Sequence, residues 1–440
     1  MKIDRRIGEI WRLGRNQRGD ITVSINRRNF VKATGVMAAA SSAPGLLRAQ
    51  AARPRIIVVG GGFGGATAAK YLKHWGGDSL DVTMIDPKAR HTSCVMSGLV
   101  LNKRLSLADL RFDYAALAGL EVEVVRDTVK SINPGARTLT LKNGAPQHYD
   151  LLVLAAGISF LKPRGWKSNV MPHAWIAGGQ TNLLKNKLAA MTAGQTFVMT
   201  IPRSPYRCPP GPYERACLVA DILKRRGGGR VIVLDANDKI QAERETFGRA
   251  FEQLYEGIVE YYADAVLEAI DGDVLHTSRG DFSGDVVNII PTQRAGALVR
   301  SQGLTDGGLW APVDVTTYES GLARFAGVYV IGDSQGSGQP KSAHMANAQA
   351  KVCADAILRT LASQPTDKAD RLQNLTTNSA CYSPITYDTA SWLTAVYHYD
   401  VASQQMKPSH VGESGEWTRE NYRDMFDWSD NLFADTFGPA

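Results

Sequence analysis

Cys208 sits in "YRCPPGPYERA", a proline-rich turn between an apolar strand, "TFVMTIP", and an amphipathic helix that begins near "YERACLVADIL". A cysteine at the entry to a helix faces the positive end of its dipole. That setting favours thiolate, the form of sulfur that attacks and leaves. Glu214 follows six residues later, in the first turns of the same helix. Enclosed beside a thiol, its carboxylate could take a proton from an incoming nucleophile; left open at a helix N-terminus, it would only steady the dipole. Tyr213 is expected to wall the same pocket. The other cysteines are Cys94, Cys217, Cys353 and Cys381. Five is too few and an odd number for a disulfide scaffold, so at least one thiol has another task. Cys217 and Cys353 fall at apolar-face spacing on expected helices and read as buried structural thiols.

These groups need a frame, and the frame is written in glycines. "RIIVVGGGFGGATAAKYLKHW" is a parallel-sheet strand, a turn and a helix, with Gly60, Gly62 and Gly65 in Gly-x-Gly-x-x-Gly spacing. The first glycine allows the tight turn, the second lets backbone approach a pyrophosphate, and the third lets the helix pack on the strand. "DVTMID" ends about 20 residues on in Asp86, where a carboxylate would hold ribose hydroxyls. Two further strands end in Ala155-Ala156-Gly157 and in Gly332-Asp333, the latter followed by a helix from about Ser342 to Leu361. These pieces, in this order, resemble the two-dinucleotide flavoproteins, which implies FAD held by Gly60, Gly62, Gly65, Asp86, Ala156, Gly157, Gly332 and Asp333. Residues 166–289 open like a second dinucleotide unit, with strands "TFVMTIP", "RVIVLDAN" and "DVLHTSRGDF". Its turn offers Pro209, Pro210 and Pro212, which have no N–H for phosphate, so pyridine nucleotide is not expected there.

"YRCPPGPYERA", "NSACYSPI", "IIPTQRAG", "APVDVTTYES" and "IGDSQGSGQPKSAHMANAQAKV" together resemble the flavoprotein subunit of flavocytochrome c sulfide dehydrogenase, over nearly all of residues 53–440. The resemblance implies that Cys208 and Cys381 form a redox-active disulfide beside the flavin. It also implies that Glu214 takes the proton of hydrosulfide, and that Cys94 is joined to the flavin by a thioether. The chain departs from the family before Cys94, where His91-Thr92-Ser93 replaces the usual aromatic residues. A purely structural bridge between Cys208 and Cys381 would be worth roughly 4 to 5 kcal/mol for so long a loop, but it gives no reason for a proline turn in place of a phosphate loop. The chain has no Cys-x-x-Cys-His, so the haem would lie on a separate c-type cytochrome subunit in a heterodimer. Two other readings stand beside this one: a sulfide:quinone oxidoreductase, and a flavin-bearing accessory protein that acts on protein-bound persulfide or disulfide.

The fold expected is α/β. Residues 53–165 and 290–361 form the FAD-binding domain, 166–289 the second Rossmann-like domain, and 362–440 a C-terminal α+β domain near the flavin with strands and then an aromatic-rich helix. Residues 1–51 read as a twin-arginine export signal, with Arg27 and Arg28 ahead of a modest apolar run and small residues around Ala49 to Ala51; this points to the periplasm. The first fifty residues hold ten Lys/Arg against three Asp/Glu, and the remainder has forty of each. The basic excess therefore belongs to the leader and gives no nucleic-acid footprint. After residue 50 no apolar run is long enough for an integral membrane segment, and the histidines show no metal-ligand spacing.

Overall fold

Residues 53–440 are described by the computed structural model; the export segment read over residues 1–51 lies outside the described residues. In chain order, Arg55–Val59 (β1) leads into Phe63–Gly76 (α1), Asp81–Ile85 (β2), Glu123–Val125 (β3) and Leu151–Leu154 (β4). Next come Thr196–Ile201 (β5), Gly211–Arg225 (α2), Arg230–Asp235 (β6), Val259–Tyr262 (β7), Val286–Ile289 (β8), Val328–Val330 (β9) and Ala343–Leu361 (α3). Thr376–Pro384 (β10), Ala390–Asp400 (β11), Gln405–Glu413 (β12) and Arg419–Phe437 (α4) complete it.

β1 is "RIIVV", apolar on both faces, which is what a central parallel strand requires. It lies between β4 and β2 in a five-stranded sheet ordered β9-β4-β1-β2-β3, all parallel. Ile56 and Val58 pack under α1 and α3, while Ile57 and Val59 meet Leu152, Leu154, Ile132 and Leu139 on the opposite face. The carboxyl ends of β1, β2, β4 and β9 thus come to one edge, carrying Gly60, Asp86, Ala155 to Gly157 and Gly332-Asp333. Open α/β sheets hold their ligands at such an edge.

A second parallel sheet runs β7-β6-β5-β8, with α2 on one face through Ala216, Cys217, Val219 and Leu223. "DVLHTSRGDF", expected as one strand of this series, instead folds as a hairpin of Val274–Thr277 and Gly280–Phe282 in a small antiparallel sheet with Leu267–Asp271. Gly280, at φ 106°, permits the reversal. The fourth parallel strand is β8. Asp235 closes β6 as Asp86 closes β2, but it faces inward. Its Oδ2 accepts from Tyr213 Oη (2.7 Å) and Tyr261 Oη (2.8 Å), and its Oδ1 from the Asn237 backbone N–H (2.9 Å). The carboxylate that would hold a nucleotide ribose is therefore spent on the protein's own tyrosines. Tyr213 is fully buried in this network and does not wall the pocket as expected, because its hydroxyl is drawn toward Asp235.

The tail returns to the first sheet. β10, β11 and β12 pair antiparallel, with Cys381 opposite Leu393 and Ser383 opposite Ser391. On α4, Phe433 packs tilted against Phe112 at 4.5 Å between ring centres, and Phe437 stacks on it at 4.9 Å. The Lys70 ammonium donates to the carbonyls of Ala434, Asp435 and Pro439. Cys217 and Cys353 are fully buried in the two cores, as their spacing implied.

Candidate active site

The carboxyl edge of the first sheet encloses a cavity of about 480 Å³ lined by Gly60, Gly62, Asp86, Cys94, Ala156, Gly157, Gly332 and Asp333. Gly60 takes φ 105°, and a Cβ there would sit 2.5 Å from the Ala155 carbonyl oxygen. Gly65 lies outside the cavity; a Cβ on it would run into the Gly60 carbonyl, so it serves the packing of α1 on β1. Asp86 stiffens the loop by accepting from the Gly61 N–H (2.7 Å) and the Lys88 N–H (2.8 Å). The N-terminus of α3 reaches the same space through Ser342 and Ala343, and Ser342 caps it by accepting from the Met345 N–H (3.0 Å). Two helix N-termini and a side-chain-free cradle fit a dinucleotide pyrophosphate. His91 also lines the cavity, with its Nε2 buried and unpartnered.

A second, smaller cavity of about 100 Å³ brings together Cys94, Cys208, Cys381 and Glu214. Cys94 lines both cavities and so stands at their junction. Cys208 adopts the left-handed region, φ 58°. Its N–H donates to the Lys341 carbonyl (2.7 Å), and its carbonyl accepts from the Gly211 N–H (3.0 Å). The Arg207 N–H donates to Gln293 Oε1 (2.8 Å), and the Arg207 guanidinium pairs with Asp333 at 2.6 Å. The proline turn of the second sheet is thereby stitched to the segment leading into α3. Gly211 leaves room for the sulfur, since a Cβ there would lie 2.8 Å from Cys208 Sγ. Cys381 arrives from the tail on β10, whose Ala380 N–H donates to His344 Nδ1 (3.1 Å).

Residues 181–291 match the central region of the sulfide dehydrogenase (flavocytochrome c) flavoprotein chain, and residues 54–175 match the pyridine nucleotide-disulphide oxidoreductase family. A 46-residue stretch is 48% identical to the sulfide dehydrogenase flavoprotein chain of Chlorobaculum thiosulfatiphilum, covering 10% of this chain and 94% of that sequence. The chain belongs to this flavoprotein family, within the disulfide-reductase-like superfamily. It is also 22% identical to a mitochondrial sulfide:quinone oxidoreductase of Dictyostelium discoideum over 68% of this chain and 69% of the relative. Among solved structures, the sulfide:quinone oxidoreductase of Aquifex aeolicus superposes with a TM-score of 0.72 at 18% identity, covering 88% and 92% of the two chains. The flavoprotein's cofactor is FAD, and the lining of the larger cavity fits a dinucleotide.

Electrostatics in the smaller cavity correct one expectation and bear on another. The Cys208 thiol is pushed well above its ordinary pKa, not lowered. Burial is the largest cause, followed by the neighbouring Cys381, Glu214 and Cys94. The turn also holds Cys208 ahead of the helix, which starts only at Gly211. Cys381 is likewise pushed up to about 12, first by burial and then by Glu243 and Glu214. Glu214 is pushed up to about 8 by burial, against the opposing pull of Arg215 and with a smaller push from Glu243. Its carboxyl group fills the space that a side chain at Gly98 would need.

Sequence reasoning missed three charged residues here. Arg207 lines both cavities beside Cys208. Arg215 is buried on the smaller cavity's wall. Glu243 is fully buried behind Cys381 and accepts from Ser383 and Ser391. The first two stand within the quoted "YRCPPGPYERA" and could have been weighed as its cations. Glu243 gives no local signal, because only the tail folding back brings the two serines to it.

Proposed function

We propose that the flavoprotein is a periplasmic sulfide dehydrogenase that opens a Cys208–Cys381 disulfide with sulfide and passes the electrons to a c-type cytochrome subunit. The observation that carries this reading is the meeting of Cys208, Cys381 and Glu214 in one cavity that borders the larger cavity at Cys94. In the disulfide form, the sulfide sulfur bonds to Cys208 Sγ and the Cys208–Cys381 bond breaks. Cys381 leaves with the electron pair as thiolate, and the hydrosulfide proton passes to the Glu214 carboxylate. A second hydrosulfide then cleaves the Cys208 persulfide, releasing the two-sulfur polysulfide HSS⁻ and leaving Cys208 and Cys381 as the reduced pair; FAD, when bound, would supply the two-electron acceptor with which the Cys208–Cys381 disulfide is remade.

Cytochrome is favoured over quinone by the tail. No described helix is long and apolar enough to cross a membrane, and α4 turns Met425, Leu432, Phe433 and Phe437 inward. Its outward face carries Asp424, Asp427 and Asp430, which suits an anionic lipid surface poorly. The test is anaerobic titration of the purified flavoprotein with sulfide, followed by flavin absorbance. Bleaching reversed by oxidised cytochrome c supports the proposal. Reversal by a quinone alone moves it to sulfide:quinone oxidoreductase, and a flavin that ignores sulfide but answers a protein persulfide makes it an accessory protein.

Cys94 is the proposed site of covalent attachment. Cys94→Ser is expected to leave FAD bound but to release its colour into the supernatant on acid precipitation, whereas the wild-type colour stays with the pellet. Wild-type colour released by acid would contradict the thioether.

A further inference from the structure

Arg215 is an unusual wall for a cavity of thiols. It is only 6% exposed, it lines the smaller cavity with Cys208, and its guanidinium lies 4.9 Å over the Trp175 ring. Nη1 donates to the His173 carbonyl (2.9 Å) and Asn288 Oδ1 (3.0 Å), and Nη2 to the Ala174 carbonyl (2.6 Å). All three acceptors are neutral. The cavity's other arginine, Arg207, is neutralised by Asp333 at 2.6 Å. We propose that Arg215 is the anion-binding group of the sulfide site, drawing hydrosulfide as a small monoanion into contact range of Cys208. This rests on the proposed sulfide reaction and names the form in which the substrate is taken up.

The charge around the cavity supports it. Burial keeps the Glu214 carboxyl protonated up to about pH 8. It keeps His344 neutral and raises the Cys94, Cys208 and Cys381 thiols. Desolvation lowers Arg215 only to about 10, so it remains a cation at neutral pH. While Glu214 holds its proton, the cavity wall therefore carries one uncompensated positive charge; once Glu214 ionises, it becomes the counter-charge of Arg215. A buried charge without a counter-charge is costly, and a small anion entering beside it recovers much of that cost. The volume of about 100 Å³ suits a monoatomic or diatomic anion better than a long thiol.

Arg215 also ties residues 173–174 to α2, so the test must separate recognition from scaffolding. The disulfide of wild type, Arg215→Gln and Arg215→Lys is opened under anaerobic conditions by two reagents, sulfide and the neutral reductant trimethylphosphine, and the released Cys381 thiol is trapped by alkylation. Arg215→Gln is expected to raise the half-saturating sulfide concentration by roughly a hundredfold and to leave the phosphine rate unchanged, with partial recovery in Arg215→Lys. Equal loss with both reagents, or unchanged sulfide saturation, overturns the inference. Wild type that opens with phosphine but ignores sulfide overturns the sulfide reading itself. Should Arg215→Gln fail to fold, wild type with added iodide decides: competition against sulfide but not against phosphine is the result expected, and no competition contradicts it.

Discussion

Cys208→Ser is expected to lower the rate of sulfide-dependent flavin reduction by at least about a thousandfold while FAD content and fold are kept. The N–H of residue 208 still donates to the Lys341 carbonyl and its carbonyl still receives the Gly211 N–H, so the turn should hold. The serine is smaller than the thiol that Gly211 makes room for. What disappears is the sulfur on which a disulfide and a persulfide can form; Cys381 alone can offer neither. Stopped-flow flavin absorbance with saturating sulfide measures it. A variant within tenfold of wild type would mean that sulfide reaches the cofactor without Cys208.

Glu214→Gln is expected to reduce turnover at saturating sulfide by roughly a hundredfold or more and to flatten its pH profile. With the carboxyl pushed up to about 8, the base form of the wild type accumulates as pH rises through that value, so turnover should climb there. Saturating substrate removes the ionisation of free sulfide from the comparison. Stability should run the other way. The folded chain keeps a proton that an unfolded glutamate releases near its ordinary 4.5, so the folded state binds more protons across the window from about 4.5 to 8. Stability therefore falls as pH rises through that window, by an amount on the order of a few kcal/mol. Glu243, pushed up to about 7 chiefly by burial, adds a slope of the same sign. Denaturant unfolding at pH 5 and pH 9 should show Glu214→Gln losing less stability than wild type. An equal loss would place the raised carboxyl elsewhere.

The cofactor site was largely legible because it is made of backbone. A glycine spacing fixes a turn, and the carboxylate or glycine that ends each parallel strand must reach the same edge, so the strand contexts, together with the resemblance to two-dinucleotide flavoproteins, joined residues as far apart as Gly60 and Asp333. The cysteine cavity was legible through resemblance: nothing in local pattern says that a residue on β10 will face a turn before α2. Its electrostatics were misjudged for a physical reason. The helix dipole acts on an exposed turn, whereas the returning tail buries Cys208 and surrounds it with groups that also resist a negative charge. Arg215 escaped notice because position on a helix does not tell a solvent-facing arginine from one whose partners are carbonyls of another segment.

The most direct measurement is mass spectrometry of the oxidised, FAD-loaded flavoprotein quenched by alkylation within one turnover after adding a single equivalent of sulfide. The result expected is one added sulfur atom on the peptide that contains Cys208, with Cys381 alkylated as a free thiol. An added sulfur on Cys381 would reverse the roles of the two cysteines. Flavin reduced at the earliest quench times with no sulfur added to either cysteine and no thiol trapped at Cys381 would contradict attack on the disulfide altogether.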